Sequence, residues 1–310
     1  MTARRFLRPT LLGVGAAAMA VLPVITSRDN VLTLAFLVWL YAALAQSWNL
    51  LSGFGGQVNL GLAAFFGLGA LITRWAWQQA LSVLPALGAG TLAAAVAGLV
   101  LGAPGLRLRG PYFAIGTLAV AEILRITVGN LLPEVSTLRP AALVSYSLLP
   151  RYYLALGVAG FTTLAAWALT RSRFGYGLAA VREDEEVAEA IGVHAFRHKL
   201  LAFVLSSACA GAAGGVFGYY HLSFYPQFAF SPLWTFDAVL IAFLGGVGTV
   251  WGPPVGAAFF LLIREALALR AVEVHLLVFG ILFIVVVLAF PGGFVEAWRG
   301  LARAQRVRPV

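Results

Sequence analysis

The amino-acid sequence predicts an all-α protein that crosses a membrane many times, a polytopic bundle of eight to ten transmembrane helices. Of the 310 residues, 61% are hydrophobic and only 11% are charged, whereas roughly a quarter of residues are charged in soluble domains. Apolar runs also recur at a spacing that suits helices of about 20 residues, the length that crosses the hydrocarbon layer. These observations argue against a water-soluble fold and predict one transmembrane domain over residues 1–310.

Ten apolar stretches are candidate spans. The first is short, and the ninth begins with Gly252-Pro253-Pro254 and carries Arg264 and Glu265 near its end, so these two are the weakest. In chain order the stretches are 11–26, 31–51, 57–76, 83–103, 112–132, 152–170, 200–222, 235–250, 253–269 and 273–290.

The distribution of basic residues predicts the orientation, because cytoplasmic loops are enriched in Lys and Arg. An even number of spans, with both termini in the cytoplasm, places most of the 21 basic residues inside. The predicted cytoplasmic residues are Arg4, Arg5, Arg8, Arg107, Arg109, Arg171, Arg173, Arg182, Arg197, Lys199, Arg299, Arg303, Arg306 and Arg308. The predicted external ones are Arg28, Arg74, Arg139, Arg151 and Arg270. This basic excess is therefore expected to face membrane lipid, and not nucleic acid.

The sequence offers little to bind a metal or a cofactor. The single cysteine, Cys209, allows neither an intrachain disulfide nor a cluster of thiolates. His194 and His198 are four residues apart, but the neighbouring Arg197 and Lys199 disfavour a bound cation. No phosphate-binding loop of the Gly-x-x-x-x-Gly-Lys type occurs. We therefore expect no metal, no cofactor and no ATPase site in this chain.

One long polar stretch, residues 171–199, interrupts the apolar pattern and is the best candidate for a functional loop. Within it we predict a helix over 182–192, with an apolar face formed by Val187, Ala190 and Ile191 and a C-cap at Gly192. The polar side is acidic, which disfavours an anionic membrane surface and favours docking into the groove of a partner protein. The acidic residues are Glu183, Asp184, Glu185, Glu186 and Glu189.

Two apolar stretches are interrupted by glycine. The first interruption, 53–61, contains Gln57 and Asn59, and the second begins at Gly245 and Gly246 and continues to Pro253-Pro254. Irregular backbone at membrane depth is tolerated where it lines a cavity, which suggests part of a substrate pathway. The four-residue spacing of Gly248, Gly252 and Gly256 equally suggests close helix packing, as it does for Gly211 with Gly215 and Gly214 with Gly218.

Three of the charged residues within predicted spans are candidates for a functional role. Glu122 and Arg125 are three residues apart on one helix face, a spacing that favours a structural ion pair over a contact with substrate. Asp237 has no basic residue near it in the sequence. We expect its carboxylate to face protein, water or the membrane interface, where it would be available to an ammonium group.

Four ordered motifs give the chain a resemblance to a known family. They are LLSGFGGQ at 50–57, GPYFA at 110–114 leading to TLA and AEILR by residue 125, SRFGYGLAAVREDE at 172–185 followed by AEAIG at 188–192, and LGGVGTVWGP at 244–253. In this order they resemble the LivM-type permease subunits of branched-chain amino-acid ABC transporters, over about residues 35–290. Leu62 stands where the family usually has a histidine, and the usual Thr-Gly-Gly run is missing from 134–149.

The resemblance implies a function and a set of partners. The chain would be the permease of a binding-protein-dependent importer in a bacterial inner membrane, without an ATPase site of its own. It would pair with a second homologous permease, two cytoplasmic ATPase subunits and a periplasmic substrate-binding protein. Within 171–199, the expected residues of the coupling loop to the ATPase are Arg182, Glu183, Asp184, Glu189, Ala190 and Gly192.

The solute stays open among branched-chain amino acids, urea and short-chain amides. An autonomous secondary carrier and an integral membrane enzyme are the alternatives outside this class. The carrier would need an unpaired buried acid, for which Asp237 is the candidate, and the enzyme would need a cluster of polar residues that the sequence lacks.

Overall fold

The computed structural model describes residues 28–108, 110–132, 136–137 and 146–270, and the single residues 23 and 280. The predicted spans 11–26 and 273–290, and with them both termini, lie outside this part of the chain apart from those single residues. The helices are α1 (Asp29–Trp48), α2 (Leu62–Gln78), α3 (Val83–Gly105), α4 (Pro111–Leu131), α5 (Leu148–Arg171), α6 (Arg173–Glu183), α7 (Glu185–Ala190), α8 (Ala195–Tyr220), α9 (Pro226–Ala229), α10 (Leu233–Gly245) and α11 (Gly252–Arg270). Two short strands, β1 (Ser136–Thr137) and β2 (Ser223–Phe224), pair antiparallel.

Six helical segments in the described part of the chain are long and apolar enough to cross a membrane. They are Asp29–Gly53, Val83–Gly105, Pro111–Leu131, Leu148–Arg171, Ala195–Tyr220 and Pro226–Gly245. The prediction of an all-α, polytopic helical bundle is thereby confirmed. Helix α2 has only 17 residues and is not among the six, and neither is α11.

Two predicted spans were too long. The stretch 57–76 was predicted as one helix, but α2 begins only at Leu62, after a loop. The stretch 235–250 was predicted to continue to residue 250, but α10 ends at Gly245. In both cases hydropathy extended the prediction through glycine-rich backbone that does not form a helix.

Helix α8 lies at the centre of the bundle and contacts α2 and α3 through glycines. A Cβ added at Gly214 would lie 1.9 Å from the carbonyl oxygen of Phe66, and one at Gly218 would lie 2.6 Å from that of Ala70. On the α3 side, a Cβ added at Gly211 would lie 2.3 Å from the Cβ of Ala94. For these glycines the structure favours close helix packing, the interpretation that their four-residue spacing suggested.

The C-terminal end of α8 is held by two buried arginines. The Arg74 guanidinium donates to the carbonyl oxygens of His221 at 2.8 Å and Leu222 at 3.0 Å. The Arg151 guanidinium donates to that of Tyr219 at 3.1 Å and lies over the rings of Tyr146 and Tyr219. Both arginines were predicted to lie in external segments as topological anchors, but they are only 1% and 2% exposed. Their charge is balanced by the negative end of the α8 dipole.

Candidate functional site

The polar stretch folds into two short helices, α6 and α7, at one end of the bundle. The single helix predicted over 182–192 is wrong, because α6 ends at Glu183 and the extended Asp184 begins α7. The Asp184 carboxylate accepts hydrogen bonds from the backbone N–H groups of Glu186 and Val187 at 2.9 and 3.0 Å. Asp184 therefore acts as an N-cap in the middle of the predicted helix. We call residues 172–193 the coupling segment.

The apolar face predicted on α7 points away from the bundle. Val187 and Ile191 are 59% and 72% exposed, whereas Ala188 is buried against Val181 and Ala195. Gly192 follows the helix with φ +91°, as expected for a C-cap glycine. The remaining predicted coupling-loop residues, Glu183, Glu189 and Ala190, are exposed. Helix α7 therefore presents to solvent a face of apolar residues that is surrounded by acidic residues.

Two cationic side chains connect the coupling segment to the transmembrane helices. Lys199 at the start of α8 forms an ion pair with Glu185, with its Nζ 2.5 Å from Oε2. Arg182 reaches in the opposite direction, and its Nη1 donates to the carbonyl oxygen of Gly53. Leu178 of α6 is buried, and its side chain lies against Gly55. The coupling segment is thus bonded to the bundle as well as packed on it.

The two glycine-interrupted segments meet at this same end of the bundle. Helix α1 continues into a π-helical turn, Asn49–Gly53. The Asn49 side chain donates to the carbonyl oxygen of Thr249 at 2.9 Å and accepts from the N–H of Gly248 at 2.8 Å. A Cβ at Gly53 would lie 2.8 Å from the Gly248 nitrogen. The turn after α10 therefore fits only against a glycine at position 53.

The second interruption combines an irregular turn with close helix packing. Gly246 and Gly248 have φ values of +118° and +74°, so they form a turn that most L-residues disfavour. Gly252 and Gly256 instead pack α11 against α10: a Cβ at Gly256 would lie 2.2 Å from the carbonyl oxygen of Ile241. A Cβ at Gly245 would lie 1.9 Å from the carbonyl oxygen of Gly252.

Asn59 fixes the loop of the first interruption. Its side-chain oxygen accepts from the N–H of Gly61 at 2.8 Å, its own N–H donates to the Ser52 hydroxyl at 3.1 Å, and its carbonyl accepts from the Trp48 indole at 2.9 Å. Its Nδ2 is buried and has no hydrogen-bond partner among the residues that the structure describes. Gln57, the other predicted pathway residue of this loop, is partly exposed. Asn59 therefore fixes the conformation of this loop, and its Nδ2 group is bonded to none of the described residues.

Asp237 lies within a polar network inside the bundle. No basic residue is near it in the sequence, but α11 places Arg264 Nη1 4.0 Å from its carboxylate. The Tyr41 hydroxyl lies between them: it donates to Asp237 at 3.1 Å and accepts from Arg264 at 3.0 Å. The network joins α1, α10 and α11. Within it the Asp237 carboxylate already accepts a hydrogen bond from Tyr41.

Glu122 and Arg125 form the predicted ion pair. Arg125 Nε donates to Oε2 at 2.8 Å and Nη2 to Oε1 at 2.5 Å, so the pair is bidentate. Both side chains are partly exposed on α4. The described residues bury only 11% of the most apolar part of this helix. The pair is separate from the other candidate residues.

The predicted pathway residues thus fall into three places. Gly245 and Gly246 begin the turn in which Gly248 contacts Asn49 and Gly53. Asn59 is bonded to Ser52 nearby, whereas Asp237 and the α4 ion pair stand apart. The sequence reasoning missed Asn49 and Tyr41 as contact residues. Asn49 had a signal, since it is an amide in a largely apolar helix, four residues before Gly53.

One further buried polar residue was missed. Gln46 on α1 is fully buried, and neither atom of its side-chain amide has a hydrogen-bond partner within the described residues. No group of three or more His, Cys, Asp or Glu residues that could hold a metal ion occurs in that part of the chain either. At the opposite end, burial and the neighbouring Arg74 charge lower the pKa of His221.

Comparison with known proteins agrees with the resemblance seen in the sequence. Residues 30–287 match the family model described as branched-chain amino acid transport system / permease component. The chain is 28% identical to the high-affinity branched-chain amino acid transport system permease protein LivM of Escherichia coli K12, over 89% of this chain and 72% of that protein.

Two other relatives also match. The probable branched-chain amino acid transport permease protein LivM of Methanocaldococcus jannaschii is 26% identical over 78% of this chain and 80% of its own length. The autoinducer 2 import system permease protein LsrC of Klebsiella pneumoniae is 32% identical over 58% of this chain and 53% of its own length. No solved structure matches. The chain belongs to the branched-chain amino acid transport system permease family.

Proposed function

We propose that this chain is the membrane-spanning permease subunit of a binding-protein-dependent ABC importer in a bacterial inner membrane, with both termini in the cytoplasm. Its solute is a branched-chain amino acid or a related small molecule. A second homologous permease, two cytoplasmic ATPase subunits and a periplasmic binding protein complete the importer. Uptake proceeds by alternating access, in which ATP-driven movement of the ATPases changes the relative stability of the outward-open and inward-open states.

The observation that carries the proposal is the exposed face of α7. Val187 and Ile191 expose large apolar surfaces at the end of the bundle, and such surfaces mark interaction sites. The acids around them, Glu183, Asp184 and Glu189, would be repelled by anionic lipid headgroups. A groove in a cytoplasmic protein therefore suits this face better than the membrane surface does. Because the sequence has no phosphate-binding loop and its lysine, Lys199, is paired with Glu185, ATP hydrolysis belongs to that partner.

The named relatives support a branched-chain amino acid as solute, since two of those described above are LivM proteins. Other matching relatives are named as an autoinducer 2 import system permease and as a putative glucose ABC transporter permease. Urea and short-chain amides are further candidates. The secondary-carrier alternative loses support, because its candidate ion-binding acid, Asp237, is bonded to Tyr41 and lies beside Arg264.

The test is purification of the chain from native membrane in mild detergent, followed by reconstitution in proteoliposomes with its binding protein. We expect two ATPase subunits and a second permease to co-purify, and uptake of labelled leucine to require ATP. Uptake by the chain alone without ATP would show a secondary carrier instead. Failure of leucine uptake, with ATP-dependent uptake of another solute, would correct only the substrate.

The docking surface is tested separately with Val187→Asp and Ile191→Asp. A carboxylate in a desolvated apolar groove is unfavourable, so we expect the ATPases to be lost from the purified complex while the permease pair remains. The matched control is Leu108→Ser, an exposed apolar residue after α3 at the same end of the bundle but outside the coupling segment. Normal ATPase recovery with both aspartate variants would contradict this docking surface.

A further inference from the structure

We infer that Arg182 does not dock onto the ATPase but is a positioning residue that carries movement of the coupling segment into the two interrupted transmembrane segments. This inference rests on the proposed function. It assigns to Arg182 a role different from the one that its place in the loop motif implies. The argument starts from where the guanidinium lies.

The Arg182 side chain turns back toward the bundle. A Cβ added at Gly56, which has φ +71°, would lie 2.9 Å from Arg182 Cγ, so the aliphatic stem lies directly along this glycine. At the end of the stem, Nη1 donates to the carbonyl oxygen of Gly53, a residue 129 positions earlier in the sequence. The exposed apolar residues of α7 and this guanidinium therefore serve different sides of the coupling segment.

The accepting carbonyl is in a position that favours a cation. Gly53 is the last residue of the π-helical turn that ends α1. Carbonyl groups at a helix C-terminus lack intrahelical partners and carry the negative end of the helix dipole. A guanidinium there forms a charge-assisted hydrogen bond, which is about twice as strong as a neutral one.

A second interrupted segment meets the same guanidinium. A Cβ added at Gly248 would lie 3.0 Å from Arg182 Nη1 and 3.2 Å from the Gly53 carbonyl oxygen. Gly248 is also the residue whose N–H is bound by Asn49. Arg182 therefore lies where the coupling segment, the end of α1 and the turn between α10 and α11 come together.

This junction explains how a force on α7 would reach the membrane. Asp184 caps α7 directly after Arg182 and Glu183, so displacement of α7 moves the end of α6. The Arg182 bond passes that displacement to Gly53, and the Asn49 side chain links it to Gly248 and Thr249. A glycine turn with positive φ can change its backbone conformation at low steric cost. The junction is the mechanical connection between ATPase movement and the interrupted segments.

The test compares Arg182→Gln with Arg173→Gln in the reconstituted importer. Arg173 is an exposed arginine on the same helix, and no contact to the interrupted segments involves it in the described residues. For Arg182→Gln we expect normal recovery of the ATPases, normal thermal stability and normal basal ATP hydrolysis, but roughly tenfold fewer solute molecules transported per ATP, the factor expected from loss of a charge-assisted hydrogen bond. Arg173→Gln should match the wild type. Arg182→Lys retains a cationic donor and should restore part of the ratio.

Each result separates the inference from the proposed function. Loss of the ATPases from the Arg182→Gln complex would show that Arg182 is a docking contact and would overturn the inference. An unchanged ratio of transport to hydrolysis would also overturn it, with the proposed function intact. If the wild-type chain has no ATPase partner at all, the proposed function itself fails.

Discussion

At the residue scale, three arginines of this protein lie where backbone carbonyls accept hydrogen bonds from their guanidinium groups. Arg74 and Arg151 lie at the C-terminal end of α8, and Arg182 lies at the end of α1. In each case a guanidinium meets carbonyl oxygens that have no partner within their own helix. Arginine suits this role because its planar group offers five donors at fixed angles. The same contact satisfies the unpaired carbonyls at a helix end and gives the guanidinium an acceptor.

Arg74→Gln tests this at the most buried of these sites. The substitution removes charge-assisted bonds to the carbonyls of His221 and Leu222. We expect the free energy of unfolding in detergent to fall by about 2 kcal/mol, the usual scale for a hydrogen bond to a charged group. Arg107→Gln, at an exposed arginine after α3, is the control and should leave the thermal unfolding temperature unchanged. Equal losses from both variants would contradict a specific role for Arg74.

At the element scale, packing of α8 depends on the absence of side chains. Gly214 and Gly218 bring the backbone of α8 against that of α2, and Gly211 does the same for α3. Between apolar helices in lipid there is little hydrophobic driving force, so association relies on close van der Waals contact. The Ser206 hydroxyl adds a hydrogen bond to the carbonyl of Ser47 on α1 at 2.7 Å. Small residues therefore decide how near the surrounding helices come to the centre.

Gly214→Ala is predicted to separate α2 from α8. The added Cβ would lie 1.9 Å from the Phe66 carbonyl oxygen, and overpacking of this kind costs roughly 1–3 kcal/mol. Gly160→Ala is the matched control, because no atom of the described residues lies within 4 Å of a Cβ there and alanine favours a helix. Thermal unfolding of the two purified variants should show a loss of stability for Gly214→Ala alone. A stable Gly214→Ala protein would mean that the crossing tolerates a methyl group.

At the scale of the whole molecule, helix ends gather into two groups with different chemistry. One end combines the coupling segment, the Asn49–Gly53 turn and the turn after α10. The other has the buried arginines, the short β1–β2 pair and the end of α8. Arg107, Arg171, Arg173 and Arg197 belong to the first end, which agrees with a cytoplasmic location under the positive-inside rule.

The orientation can be measured by thiol labelling, because Cys209 is the only cysteine in the sequence and is buried. In a Cys209→Ala background, we expect Val187→Cys to react with an impermeant maleimide only after the membrane is opened. Leu81→Cys, in the exposed connection between α2 and α3, should react from the outside of intact cells. Reporter fusions after residues 108, 180 and 305 should likewise report a cytoplasmic location. The reverse labelling pattern would invert the proposed topology.

The sequence alone determined the class of this protein. Hydropathy and segment length depend on local composition, so they correctly predicted a helical membrane bundle, and four ordered motifs indicated the family that the comparison confirmed. The Glu122–Arg125 pair was predictable too, because three residues along a helix bring two side chains to one face. The C-cap at Gly192 followed from the same local rules.

Tertiary structure decided the contacts between residues distant in sequence. Asp237 acquires Arg264 only because α10 packs against α11, and Arg182 reaches Gly53 only because α6 folds back under α1. The break at Asp184 escaped prediction because an acidic first turn and an N-cap within a helical pattern look alike in sequence. Local patterns specify which helices form, but the interaction energy between distant side chains depends on how those helices cross, and only the folded bundle sets that geometry.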